Sequence, residues 1–471
     1  LAADTGMDCV AAEYQTVLWD KYHLLYLDGA YGWDQFDENK VSSRVMDYVA
    51  GNLSQTGENS VFRTKLCEAS MLEYMFATDN DGTGMLRQAS AYMKRHLPED
   101  VAKKMYQQYQ DGKKAEADGK TEYSVEDADQ AIINAKKEKE QADQNDKEGA
   151  PQEEAGEKNI QDNENNHAQD AEDGKKESPI QIVLQLKQNA LLGMTVSDMS
   201  SLSAKAVEAK DMVSNRQCET GRYDMKKAEK MNVSDRVMVL EYIGKHFSDY
   251  TEPGKGDLTY EMEYILCGKD TDKKNLESSI ERLMRMREAA NVAHIIADRE
   301  KLNQTLMIAT SLAGFSGNPA VVKIVQIGVV AAWAYVESIL DLRTLLSGGK
   351  ISLIKSAAEW TTDLKKLGEI VTGEGKAREC KNGLSYQAYI KQLLFAMKEK
   401  KMAYRMMDIM ELAMQKEQNG KNARMDHMID NMICELRFEA KPLFAKRSLY
   451  GDMEMGGYTF FKRQKLSYIN K

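Results

Sequence analysis

Two hydrophobic periods alternate along the chain. Between residues 1 and 20, Met7, Val10, Tyr14, Val17 and Leu18 recur near the helical period and predict an opening helix. The run from Tyr22 to Leu27 is apolar at nearly every position and stops at Asp28-Gly29, the pattern of a strand buried on both faces. Residues 64–76 read as a second strand, and helices are expected over 84–96 and 99–110, parted by Pro98. Later, Tyr260, Met262, Tyr264 and Leu266 alternate with Glu261 and Glu263, which predicts a strand with one wet face. The same alternation over 434–440 puts Cys434, Leu436, Phe438 and Ala440 inside. Residues 458–469 read as an edge strand whose lysines discourage further pairing.

Long helical periods lie between these strands. They cover 272–299, with Leu276, Ile280, Leu283 and Ala290 on one stripe, then 300–313, 318–346 and 385–417, with Ser385 as N-cap and Gly420 as stop. Strands far apart in sequence with helices between them predict a helix-rich α+β fold with a small, mainly antiparallel sheet. No internal repeat is present.

Charge changes the picture in one place. The net charge of −10 is not spread along the chain, because residues 112–178 hold 20 acidic and 10 basic residues and leave 54 of each elsewhere. That segment contains one aromatic, Tyr123, and too few apolar residues to offset the entropy of ordering. It predicts a disordered acidic insert, with a transient helix over 126–140, between an N-terminal portion (1–111) and a C-terminal portion (179–471) of one composite body. The neutral remainder argues against an electrostatic footprint for nucleic acid.

The run from Ala320 to Val336 is 17 residues long, at the lower limit for crossing a bilayer, and carries Lys323 and Gln326. A central buried helix is the plainer reading, and a membrane span is the alternative. The chain starts at Leu1 with no signal-peptide pattern, which suggests a fragment or processed form.

The search for chemistry returns no catalytic, cofactor or metal residue. The six cysteines show no CxxC spacing. Cys67, Cys267 and Cys434 read as small buried hydrophobes, whereas Cys218 and Cys380 lie in polar loops where a disulfide is conceivable. Gly348-Gly349-Lys350 and Gly373-Glu374-Gly375-Lys376 lack the flanking residues of a phosphate-binding loop. His294 falls on a helical stripe and reads as a buried histidine. Met402, Met406, Met407, Met410 and Met414 have helical spacing and read as a core face, with a promiscuous groove as the alternative. Glu337 and Asp341, one turn apart beside Trp333 and Tyr335, are open to two readings. They are an acid/base or cation site, or carboxylates paired with a base such as Arg343.

Several passages resemble a family of uncharacterised surface proteins of gut Firmicutes, related in context to the tight-adherence (Tad or Flp) pilus and type II/IV secretion machinery and similar to TadE/TadG. They are residues 4–14, 22–32, 263–269, 287–291, 332–338, 348–350 and 405–408. The resemblance implies an extracytoplasmic component anchored by an apolar helix upstream of Leu1 and working through protein partners, without an active site or cofactor. It places Trp333 and Glu337 in a family motif. The expectation is therefore a surface-assembly protein. An enzyme using the Glu337 region and a membrane protein spanning 320–336 are the alternatives.

Overall fold

The computed structural model describes residues 1–54, 62–97, 103–110, 125–148, 178–223, 231–368, 375–418, 420–442 and 458–468. In chain order, the helices used below are α1 (Ala2–Ala11), α2 (Thr16–Tyr22), α3 (Glu38–Ser54), α4 (Thr83–His96), α5 (Val125–Glu148), α6 (Pro179–Leu186), α7 (Val233–His246), α8 (Glu261–Cys267), α9 (Asp272–Ala297), α10 (Arg299–Ala313), α11 (Pro319–Leu346), α12 (Tyr386–Phe395) and α13 (Glu399–Gln415). The strands are β1 (Leu27–Asp28), β2 (Phe62–Phe76), β3 (Met428–Pro442) and β4 (Tyr458–Ser467). The protein is thus helix-rich α+β with a four-stranded antiparallel sheet assembled from distant segments.

Contacts divide the chain into two interleaved units. One comprises residues 1–109, 203–276 and 390–471, and the other 110–202 and 277–389. These boundaries do not coincide with the expected 1–111, 112–178 and 179–471. Of the segment expected to be disordered, α5 is helical and buries Val125, Ala128, Ile132 and Ala135. That i, i+3, i+7, i+10 stripe packs on α11, so four small apolar residues suffice to recruit an otherwise charged helix into a core. The transient helix expected over 126–140 falls within α5. Residues 111–124 and 149–177 lie outside the described residues.

In the first unit, β3 is the central strand, with β2 on one side and β4 and β1 on the other. One face of the sheet is covered by α1 and α3. Ala3, Met7 and Val10 of α1 and Val41, Val45 and Val49 of α3 meet Leu66, Met71, Met432, Cys434, Leu436 and Phe438. The i, i+4, i+8 valines make a flat stripe, and Gly6 lets α1 approach closely, since a Cβ there would stand 2.4 Å from Val49 Cγ2.

The structure departs from the sequence-based expectation in four places. The opening helix is two, because the Gln15 side chain caps Val17 N at 3.2 Å and starts α2 afresh. Residues 22–27 do not form a strand beyond Leu27. His23 closes α2 in the left-handed region (φ 53°), and the Leu25 backbone is bonded by the Gln88 side amide, 3.0 Å at each end. The 260–266 alternation belongs to helix α8. Glu261 and Glu263 are not a wet face but accept the Ser248 and Tyr250 backbone N–H, each at 2.9 Å. Buried Arg405 donates to the carbonyls of Ile265, Leu266 and Cys267 at 2.8–2.9 Å, closing the C-terminus of α8 at Gly268. Lastly, 385–417 is two helices, α12 and α13. Arg236 takes the Phe395 and Met397 carbonyls at the break, and Ser385 caps α12 through Ala388 N.

In the second unit α11 is the axis. Most of it from Val325 onward is buried, against α5, α6 and α10. It is the one helix, among the described residues, long and apolar enough to cross a membrane, and 61% of its most apolar window is buried.

Candidate functional site

Glu337 and Asp341 lie on α11 at the heart of the second unit, both 0% exposed. Lys355, from the loop after α11, binds Glu337 Oε1 and reaches Asp341 Oδ1 at 2.5 Å. Arg287 of α9, also fully buried, donates Nε to Asp341 Oδ2 at 3.0 Å. Its remaining N–H groups reach the Ser352 and Leu353 carbonyls, Tyr389 Oη and Asn291 Oδ1 at 2.8–3.2 Å. Glu337 also accepts the backbone N–H of Thr361 (3.1 Å) and Thr362 (2.9 Å). Burial opposes the Arg287 charge, but Tyr389 and Asp341 hold its pKa above the ordinary value.

Two carboxylates and two cations sum to zero, and almost every lone pair is used. Such a group staples the 351–362 loop to α9 and α11 rather than presenting a reactive carboxylate. Arg343 is not the base. It lies two residues from Asp341, off the shared face, and donates instead to the Met194 and Gly375 carbonyls. Trp333 donates Nε1–H to Thr362 Oγ1 at 2.8 Å, and Trp360 stacks on His294 with ring centroids 4.8 Å apart. Burial lowers the His294 pKa, and Lys301 adds to that.

All six cysteines are free, so Cys218 and Cys380 form no disulfide; their thiols donate to the Val213 and Arg378 carbonyls. Cys434 in β3 and Cys267 at the end of α8 are buried as expected, whereas Cys67 in β2 is only half-buried. The five methionines of α13 are fully buried core. Gly348 (φ 87°) and Gly349 terminate α11, with Gly349 N–H donating to Thr344 O at 2.9 Å. Gly373 and Glu374 lie outside the described residues. Among the described residues, no group of three or more His, Cys, Asp or Glu side chains is placed to hold a metal ion.

The first unit holds a feature that sequence periodicity did not reveal. On the sheet face away from α1 and α3, successive cross-strand rows read Glu68–Arg437–Phe461, Ser70–Glu435–Arg463, Glu73–Ile433–Lys465 and Met75–Asn431–Ser467. Charges in the first two rows are paired, Arg437 with Glu68 at 3.1 Å and Arg463 with Glu435 at 2.9 Å. In the third row the central residue is Ile433, and no ion pair joins the charges flanking it among the described residues. The last two rows run beneath the start of α4 and form, with Arg87, a cleft of about 290 Å³.

Behind this cleft lies Asp430. The register passes from Met75↔Asn431 to Phe76↔Ile429, so Asp430 is the extra residue of a β-bulge. It is 0% exposed, and neither carboxylate oxygen has a hydrogen-bond partner among the described residues. Burial pushes its pKa up to about 7; Arg87 and Lys465 oppose the rise and Asp79 adds to it. Tyr26 Oη, close enough for Asp430 to affect its own ionisation, is likewise buried and unpartnered.

Fold and site together define a helix-rich α+β protein whose charged core is a staple and whose sheet carries an open cleft. The chain belongs to a family of unknown function (DUF5702), which matches residues 169–440, more than half of its length. No curated protein and no solved structure matches it. Neither finding connects the chain to the tight-adherence machinery that its sequence resemblance implied.

Proposed function

We propose that this protein works by contact with other proteins, as a non-catalytic component of a cell-surface assembly. The observation that carries the reading is the asymmetry of the sheet. One face is sealed by α1 and α3, while the other presents Phe461, 60% exposed, beside Arg437 and Glu68 and ends in the cleft. An aromatic and charged sheet face with an apolar-floored cleft is the composition that protein recognition uses, with Arg and aromatic residues as anchors. The closed geometry of Glu337 and Asp341 supports a structural part for the carboxylate pair in this reading.

Placing a photo-crosslinking amino acid at Phe461 or Glu68 in producing cells tests it. The expected result is a discrete adduct with another protein from either position. Folded, expressed variants that yield no adduct from both positions would overturn the reading. The surface location rests on the sequence resemblance. Protease added to intact cells is expected to degrade the chain, and a chain that survives until lysis would sink that part.

A further inference from the structure

We propose that the cleft at the Glu73–Ile433–Lys465 row receives an acidic side chain of a partner polypeptide, flanked by an apolar residue, with the carboxylate between Arg87 and Lys465 and the apolar group over Ile433 and Met75. The inference rests on the protein-contact reading above and names the chemistry of the contact.

Charge sets this row apart from its neighbours. Elsewhere on this face each basic residue of the rows meets a carboxylate on the neighbouring strand. Arg87 and Lys465 have no ion-pair partner among the described residues. Both line the cleft, from different elements, α4 and β4, and both act on Asp430 behind it. Two cations converging over an apolar floor match an anion attached to an apolar body, and a guanidinium offers a carboxylate a fork of donors. Volume agrees, since about 290 Å³ lies at the lower end of ligand clefts and suits one or two side chains rather than a cofactor.

Glu73, across the floor on β2, sets the polarity of the occupant. With one acid against two cations the cleft carries a single net positive charge, so it selects a monoanion and disfavours a group presenting negative charge toward β2. A chain that enters acid-first from the α4 side avoids Glu73. Asp430 lies behind the cations without lining the cleft, and in its protonated form it leaves their field undiminished.

The test uses the full chain and two labelled peptides, acetyl-Gly-Leu-Glu-Leu-Gly-amide and the same sequence with Gln for Glu, followed by fluorescence anisotropy, with octanoate as a third probe. The Glu peptide is expected to bind roughly tenfold or more tightly than the Gln peptide, the scale of a charge-assisted hydrogen bond. Arg87→Gln and Lys465→Gln are each expected to weaken it by about tenfold, and Glu73→Gln to tighten it by a few fold. Both cations are exposed, so these variants fold, and circular dichroism checks that. Equal binding of the two peptides, indifference to Arg87→Gln and Lys465→Gln, or binding of octanoate but not the peptide would each overturn the proposal. If crosslinks from Phe461 persist in the Arg87→Gln, Lys465→Gln double variant while peptide binding fails, protein contact stands and the cleft assignment falls.

Discussion

In one unit Glu337 and Asp341 are sealed against water with a cation for each carboxylate; in the other Asp430 is equally buried and has none in contact. The sealed group has used nearly all its hydrogen-bonding capacity and can only hold chain segments together. The open one keeps its capacity and sits behind a cleft. Burial therefore does not distinguish a structural carboxylate from an available one. Satisfaction does, because an unpaired buried group retains the full cost of its desolvation.

Four changes would break or sharpen this contrast. The largest effect is expected from Lys355→Met, which leaves Glu337 and Asp341 facing one another with only Arg287 to neutralise them. It should cost the second unit about 3–5 kcal/mol, the scale of an orphaned buried charge. Urea unfolding followed by the fluorescence of buried Trp333 and Trp360 reads it. A loss below about 1 kcal/mol would mean that the staple is not formed.

Asp430→Asn should do the opposite, and only at higher pH. Below pH 4 the folded and unfolded chains both hold the Asp430 proton. Between about 4 and 7 the unfolded chain releases it while the folded one keeps it, so stability falls with rising pH until the folded group titrates at about 7. Asparagine removes that loss. The variant is expected to gain up to about 4 kcal/mol at pH 8 relative to its effect at pH 4, from a rise of about three pH units at roughly 1.4 kcal/mol each. A gain independent of pH would show that Asp430 is not protonated in the fold.

Arg87→Gln should change stability by no more than about 0.5 kcal/mol at pH 5, as exposed substitutions do, and cost more at pH 8, where Asp430 loses an opposing charge. A flat response would separate Arg87 from Asp430. Smallest of all, Arg463→Gln breaks an exposed pair and should cost at most about 0.5 kcal/mol, vanishing in 1 M salt. A larger loss would show that the paired rows, and not the cleft row, organise the open face.

Part of the sealed group was legible beforehand. Arg287 occupies the stripe of Leu276, Ile280, Leu283 and Ala290, and an arginine on an apolar stripe signals a buried counter-charge. Glu337 and Asp341, one turn apart on the long apolar helix α11, answer it. Lys355 carries no such signal because it arrives from a loop. Asp430 was hidden for a different reason. A bulge offsets the two-residue period locally, so no alternation rule tells which way its side chain points. The 260–266 alternation misled because Glu263 is buried and Glu261 half-buried, each hydrogen-bonded to a loop 13 residues away, and polar residues were read as solvated ones.

By itself the sequence determined the helix-rich α+β class, β2 to within two residues, the core of β3, the edge position of β4, and the methionine face of α13, because local period and side-chain volume decide those. Only the tertiary structure decided that α5 is recruited from a charged segment, that the acid pair of α11 is closed by Arg287 and Lys355, and that Arg87 and Lys465 converge before an unsatisfied Asp430. Each of these depends on groups 14 to 378 residues apart, and a long-range meeting of charges is set by the packing that brings them together, not by the spacing along the chain.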